Sequence, residues 1–104
     1  MTRKWLDTPF TCKSLREQEE IIINLLKKFL RVQKGNMALL RPGKLAKYIP
    51  DRLSPHHLRM IYDVIKQHIQ ENGGVLVDGD VWVIWEEGRD GRQRRYMILQ
   101  RIKP

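Results

Sequence analysis

The stretch from Ser54 to Gly74, SPHHLRMIYDVIKQHIQENGG, and the run that follows it, VLVDGDVWVIW, constrain the fold more than any other part of the chain. Ser54 offers a hydroxyl to an otherwise unpaired backbone N–H, and Pro55 suits the first helical position, where no N–H is needed. Gly73 and Gly74 can take the left-handed geometry that ends a helix. Between these signals Leu58, Ile61, Tyr62, Ile65 and Ile69 recur at helical spacing and form a stripe about 100° wide. The opposite face carries His56, Arg59, Asp63, Lys66, Gln67 and Gln70, with Met60 beside them. This predicts a helix laid on a core with hydrogen-bonding groups turned outward; a merely solvated surface helix is the plain alternative. After Gly74 the hydrophobic period drops from about 3.6 to 2. The residues become β-branched and aromatic, as strands prefer, and Asp78-Gly79 is a two-residue hairpin signal. EEGRDGR (86–92) reads as a second turn and RRYMILQRI (94–102) as a strand. The favoured pairing is Val81–Trp85 with Tyr96–Ile102, the arginine loop at the tip, in an antiparallel sheet of two or three strands.

Upstream, Ser14–Gln33 reads as a first helix. Ser14 and Glu17 form a capping box. Glu17, Glu19 and Glu20 suit its N-terminal end, Lys27, Lys28, Arg31 and Lys34 its C-terminal end, and Gly35 stops it. Its apolar residues cover well over a third of the circumference, so either the helix is sunk deeply in the domain or one side meets a second copy. Met37–Leu40 fits a short strand. Pro42 opens a brief helix, PGKLAKYI, with Leu45, Ala46 and Ile49 inward, and Pro50 ends it. Asp51–Leu53 is a tight turn into Ser54, which makes a helix-turn-helix. Residues 1–13 form an irregular arm in which Trp5, Leu6 and Phe10 pack on the domain or on a partner; residues 14–104 form the domain.

Composition narrows the classes of function. A chain of 104 residues suits one domain with little room for a deep catalytic cleft. A net charge of +8 and a pI near 10.0 point to DNA, RNA or an anionic surface. No run of about 18 apolar residues spans a membrane, and the N-terminus lacks the apolar core of a signal peptide. Cys12 stands alone, which excludes an intrachain disulfide and fits a reducing cytosol. The expected localisation is therefore cytoplasmic and nucleoid-associated. His56, His57 and His68 diverge around a helix and do not converge on a metal. No nucleophile–base–acid spacing appears, and Gly43 lacks the frame of a phosphate loop. The chain is expected to be neither an enzyme nor a cofactor carrier.

The order helix, short strand, helix-turn-helix, hairpin is carried by SLREQEEIIINLLKKFL, PGKLAKYIPDRLSPHHLRMIYDVIKQHI and VWVIWEEGRDGRQRRYMIL. Over residues 14–102 it resembles the winged-helix family of DNA-binding domains, of the small archaeal and viral type. The resemblance implies an α+β winged helix-turn-helix: three helices followed by a C-terminal antiparallel β-hairpin, the wing. The third helix would enter the major groove of double-stranded DNA, with the wing along the backbone or in the minor groove, in a transcriptional regulator or small chromatin protein. Family members also serve as protein-interaction or RNA-binding modules.

On that reading Lys44 and Lys47 lie against the DNA backbone. Ser54 and His56 reach phosphate or base edges, Arg59 takes guanine, Gln67 or Gln70 reads adenine, and Lys66 shares the face. Arg89 and Arg92 sit at the wing tip, with Arg94 behind them, suited to a narrow minor groove. Asp63 is the dissenting acid; it accepts from cytosine or pairs with Arg59 or Lys66. Residues 27–52 hold eight basic residues and one acid, a dense linear source of phosphate contacts. Trp82 and Trp85 are three apart on a strand, so they point to opposite faces and leave only one for stacking. A homodimer through helix 14–33 is the expected assembly.

Overall fold

Capping chemistry sets the limits of the helices. In this computed structural model, which describes residues 9–91 and 94–102, helix α1 spans Leu15–Arg31. The Ser14 hydroxyl accepts from the Glu17 backbone N–H and donates to the Glu17 carboxylate. A strand β1 (Met37–Leu40) and a short helix α2 (Pro42–Ala46) follow. Helix α3 spans Pro55–Asn72 and opens on a capping box in which His57 takes the place usually held by Glu or Gln. The Ser54 side chain accepts from His57 N–H, and the Ser54 N–H donates to His57 Nδ1 at 3.2 Å. Gly73 ends the helix at φ +74. Gly74 follows at φ +143, where a Cβ would meet a Val81 methyl at 2.5 Å. The pair therefore both stops α3 and lets the chain run directly into the sheet.

The sheet has four antiparallel strands in the order β1-β4-β3-β2, with β2 at Val75–Val77, β3 at Asp80–Arg89 and β4 at Arg95–Ile102. Strands β2 and β3 join through Asp78-Gly79, flanked by the pair Val77↔Asp80. The β3–β4 pairing runs from Val81↔Ile102 to Arg89↔Arg95, as the periodicity predicted, with a bulge between Ile84 and Glu86. Strand β1 pairs with β4 from Met37↔Gln100 to Leu40↔Met97. The fold is thus α+β, three helices on one face of a four-stranded sheet, with a short 3-10 turn at Phe10–Cys12 ahead of α1.

The core lies between the helices and the inner face of the sheet. Ile22, Leu26 and Leu30 of α1, Leu45 of α2 and Ile61, Ile65 and Ile69 of α3 meet Val75, Trp82, Met97 and Leu99. Full burial of each such side chain contributes about 1.5–3 kcal/mol. The broad apolar face of α1 is largely absorbed here: Ile21, Ile23, Leu25 and Phe29 pack partly buried against the core. Only Leu15 and Val32, at its two ends, remain exposed. Phe10 is also buried, and its carbonyl accepts from the buried Gln18 side chain at 2.9 Å. Trp5 and Leu6 lie outside the described residues. Among the described residues no helix is long and apolar enough to cross a membrane.

Candidate nucleic-acid interface

Strands β3 and β4 outrun the core, so the far half of their hairpin stands beside α3. Alternation puts Glu87, Arg89 and Arg95 on the helix side of the sheet. The Tyr62 hydroxyl of α3 donates to the Glu87 carboxylate. Lys66 Nζ lies 3.3 Å from the same carboxylate. Asp63 accepts from the Arg95 guanidinium at 3.2 Å, and that guanidinium sits 5.3 Å from the centre of the Tyr62 ring. Burial, and then the Glu87 bond, push the Tyr62 hydroxyl well above its ordinary pKa. The same bond holds the Glu87 carboxyl below the usual carboxylate range; burial opposes this, and Lys66 reinforces it. Three consecutive links thus tie the hairpin to one shoulder of α3.

The residues predicted to touch nucleic acid fall into distinct environments. His56, Arg59, Asp63, Gln67 and Gln70 are exposed on α3. Asp63 pairs with Arg95 and not with Arg59 or Lys66, and Lys66 is engaged by Glu87. Gln67 donates to Glu71 at 2.8 Å. The Ser54 hydroxyl is committed to capping. In the hairpin turn the Asp90 N–H donates to the Arg94 carbonyl at 3.0 Å, and the Arg94 N–H donates to the Asp90 carboxylate at 3.1 Å. Arg89 and Arg94 are exposed on either side of this turn, and Arg92 lies outside the described residues. Lys47 is exposed, whereas Lys44 turns back onto the fold, donating to the Leu39 carbonyl at 3.2 Å and lying 5.7 Å from the Phe29 ring centre. Among the described residues Lys47, Arg59, Arg89 and Arg94 have no ion-pair partner.

Comparison with protein-family models, with curated proteins and with solved structures finds no match for this chain. The interface therefore rests on geometry and charge.

Arg95, one of the arginines read as belonging to the wing, and Arg41, which sequence reasoning did not single out, border the hairpin. Arg95 faces Asp63, and Arg41, just before α2, reaches Asp90 at 3.9 Å and lies 5.8 Å from the Tyr96 ring centre. The register, which sets Arg95 opposite Arg89 on the helix side, is what gives it Asp63 as a partner. The dense basic run of residues 27–52 does not form one patch. Arg31 pairs with Asp78 in the β2–β3 turn and Arg41 with Asp90 in the β3–β4 turn. These turns sit at opposite ends of β3, about 30 Å apart at ~3.3 Å per residue. On its other shoulder α3 meets α1 in a groove lined by Arg16, Glu19, Glu20, His68 and Glu71. Burial, then Lys27, lowers the His68 pKa and favours its neutral form. The three acids there repel phosphate, so the side of α3 suited to a polyanion is the one facing the hairpin.

Proposed function

We propose that this protein binds double-stranded DNA through α3 and the β3–β4 hairpin, as a winged helix-turn-helix acting in transcriptional regulation or as a small chromatin protein. The observation that carries the reading is the attachment of an arginine-bearing hairpin beside the polar face of α3, through Asp63–Arg95 and Tyr62–Glu87–Lys66. The element order and the β1-β4-β3 arrangement suit a winged helix, with β2 as an added edge strand. Arg59 serves as the base-reading side chain, since a guanidinium matches guanine O6 and N7. Lys47, Arg89 and Arg94 serve as phosphate contacts. Pairing with Arg95 masks much of the repulsion Asp63 would exert.

Titration of a duplex across a salt series tests this. Three to four phosphate contacts give a slope of log K against log salt of roughly −3 to −4, at about −0.9 per phosphate. Lys47→Ala should weaken all sequences alike and reduce the slope by about one, whereas Arg59→Ala should relax sequence preference. Binding that is absent at low salt, or indifferent to salt, would falsify the proposal. Structured RNA that outcompetes duplex DNA would replace it with an RNA-binding role.

A further inference from the structure

We infer that the outer face of the sheet, the side away from the helices, is a docking surface for a second copy of this chain, giving a back-to-back dimer. Strand register assigns the outward positions. Met37, Leu39, Leu76 and Ile102 point outward and are exposed. Trp85, the extra residue of the bulge, falls outward beside Glu86 and is 62% exposed. Eight large apolar side chains are exposed among the described residues, and these five lie on this one face. Val81, Val83 and Ile98 fill the space between them, half-buried by their neighbours.

The charge pattern selects the occupant. Lys and Arg make up 20 of 104 residues, yet none stands at an outward position of these strands; Glu86 is the one charged residue there. The nearest cations, Arg41 just past the end of β1 and Arg94 just before β4, lie at the hairpin end of the face, and Arg41 is paired with Asp90. A nucleic acid, an anionic membrane or an acidic partner would need cations that this face withholds. An identical face meets it with no cation to desolvate and with only Glu86, toward the hairpin end, to keep in water. Two +8 chains repel on average, and no Lys or Arg of these strands opposes their approach across this face.

The size is adequate for a modest association. Three strand spacings of about 4.8 Å and four residue steps of about 3.3 Å, with side-chain margins, give a patch on the order of 400 Å² in projection. That is roughly half of the ~800 Å² of accessible surface per partner in a standard interface, before counting the relief of the side chains. Face-to-face packing of two sheets is an ordinary way to cover such a surface. The inference stands apart from DNA binding, which is assigned to α3 and the tip of the β3–β4 hairpin.

Sedimentation equilibrium of the full chain, up to about 10⁻⁴ M, above the ~10⁻⁶ M typical of firm association, tests it. The expected mass is that of two chains at the upper concentrations. Association should strengthen several-fold as salt rises from about 0.05 to about 0.5 M, because screening relieves repulsion between like-charged chains; DNA binding responds in the opposite sense. Leu39→Lys and Leu76→Lys, on different strands and both exposed, should each leave a single-chain mass with an unchanged circular-dichroism melt. Val32→Lys, at the exposed end of α1, should leave the dimer intact. A single-chain mass at every concentration overturns the inference. So does a dimer that Val32→Lys dissolves and the two strand variants do not.

Discussion

Removal of one hydroxyl, in Tyr62→Phe, tests what fixes the hairpin against α3. The ring stays, so the core contact and the Arg95 guanidinium above it are retained, and the change removes the bond to Glu87 together with a long contact to the Tyr96 carbonyl at 3.5 Å. A hydrogen bond to a charged acceptor contributes about 1.5–3 kcal/mol. Here the Glu87 side chain is 35% exposed and keeps Lys66 at 3.3 Å, so water and the ammonium compensate part of the loss. A cost of about 1–1.5 kcal/mol follows after that discount. In a domain of this size it corresponds to a fall in Tm of roughly 4–12 °C. Urea unfolding at pH 7 and pH 3 is the assay. Because the bond lowers the Glu87 pKa in the folded protein, its contribution is complete above the ordinary value of 4.5 and is lost as pH falls through the folded value. Wild type and variant should therefore differ most at pH 7, with a smaller difference at pH 3. Equal stability at pH 7, or the same deficit at both pH values, would refute the reasoning. Duplex affinity should fall with an unchanged salt slope, since no phosphate contact is removed.

Two other substitutions probe the same surface. Asp63→Asn removes the acid and releases Arg95 from its 3.2 Å pair; stability should change by less than about 1 kcal/mol, while duplex affinity rises and the salt slope steepens by about 0.9 for the added phosphate contact. Weaker binding by this variant would show that Arg95 matters as a structural partner and not as a masked cation. Gly88→Ala places a Cβ 2.5 Å from the Tyr96 hydroxyl, so the ring must swing away from Gly88. A destabilisation of about 1–2 kcal/mol is expected in urea unfolding. It should vanish when Tyr96→Ala is already present, and a deficit that persists in the double variant would trace to the backbone instead.

Much of the architecture was legible in the sequence because it is decided within a few residues. Ser14 and Ser54 cap helices with groups three positions away, and Asp78-Gly79 turns a hairpin by its own backbone preferences. The switch of hydrophobic period after Gly74 separates helix from strand, and the alternation that set Trp82 against Trp85 holds, the first buried and the second exposed. The two or three strands expected after Gly74 are three, and Met37–Leu40 is a strand as expected; that it joins the same sheet depends on its pairing with β4, some sixty residues further on. Charge was the least legible property. Asp63 went to Arg95, Lys66 to Glu87, Lys44 to a backbone carbonyl, and Arg31 and Arg41 of the basic run to two distant turns. The outer face free of Lys and Arg emerged only from the register of all four strands and the bulge that sends Trp85 and Glu86 to the same side. Caps, turns and periodicity report local backbone chemistry, which the sequence determines alone. Ion pairing and surface patches depend on which distant residues come within about 4 Å, and only the tertiary structure decides that.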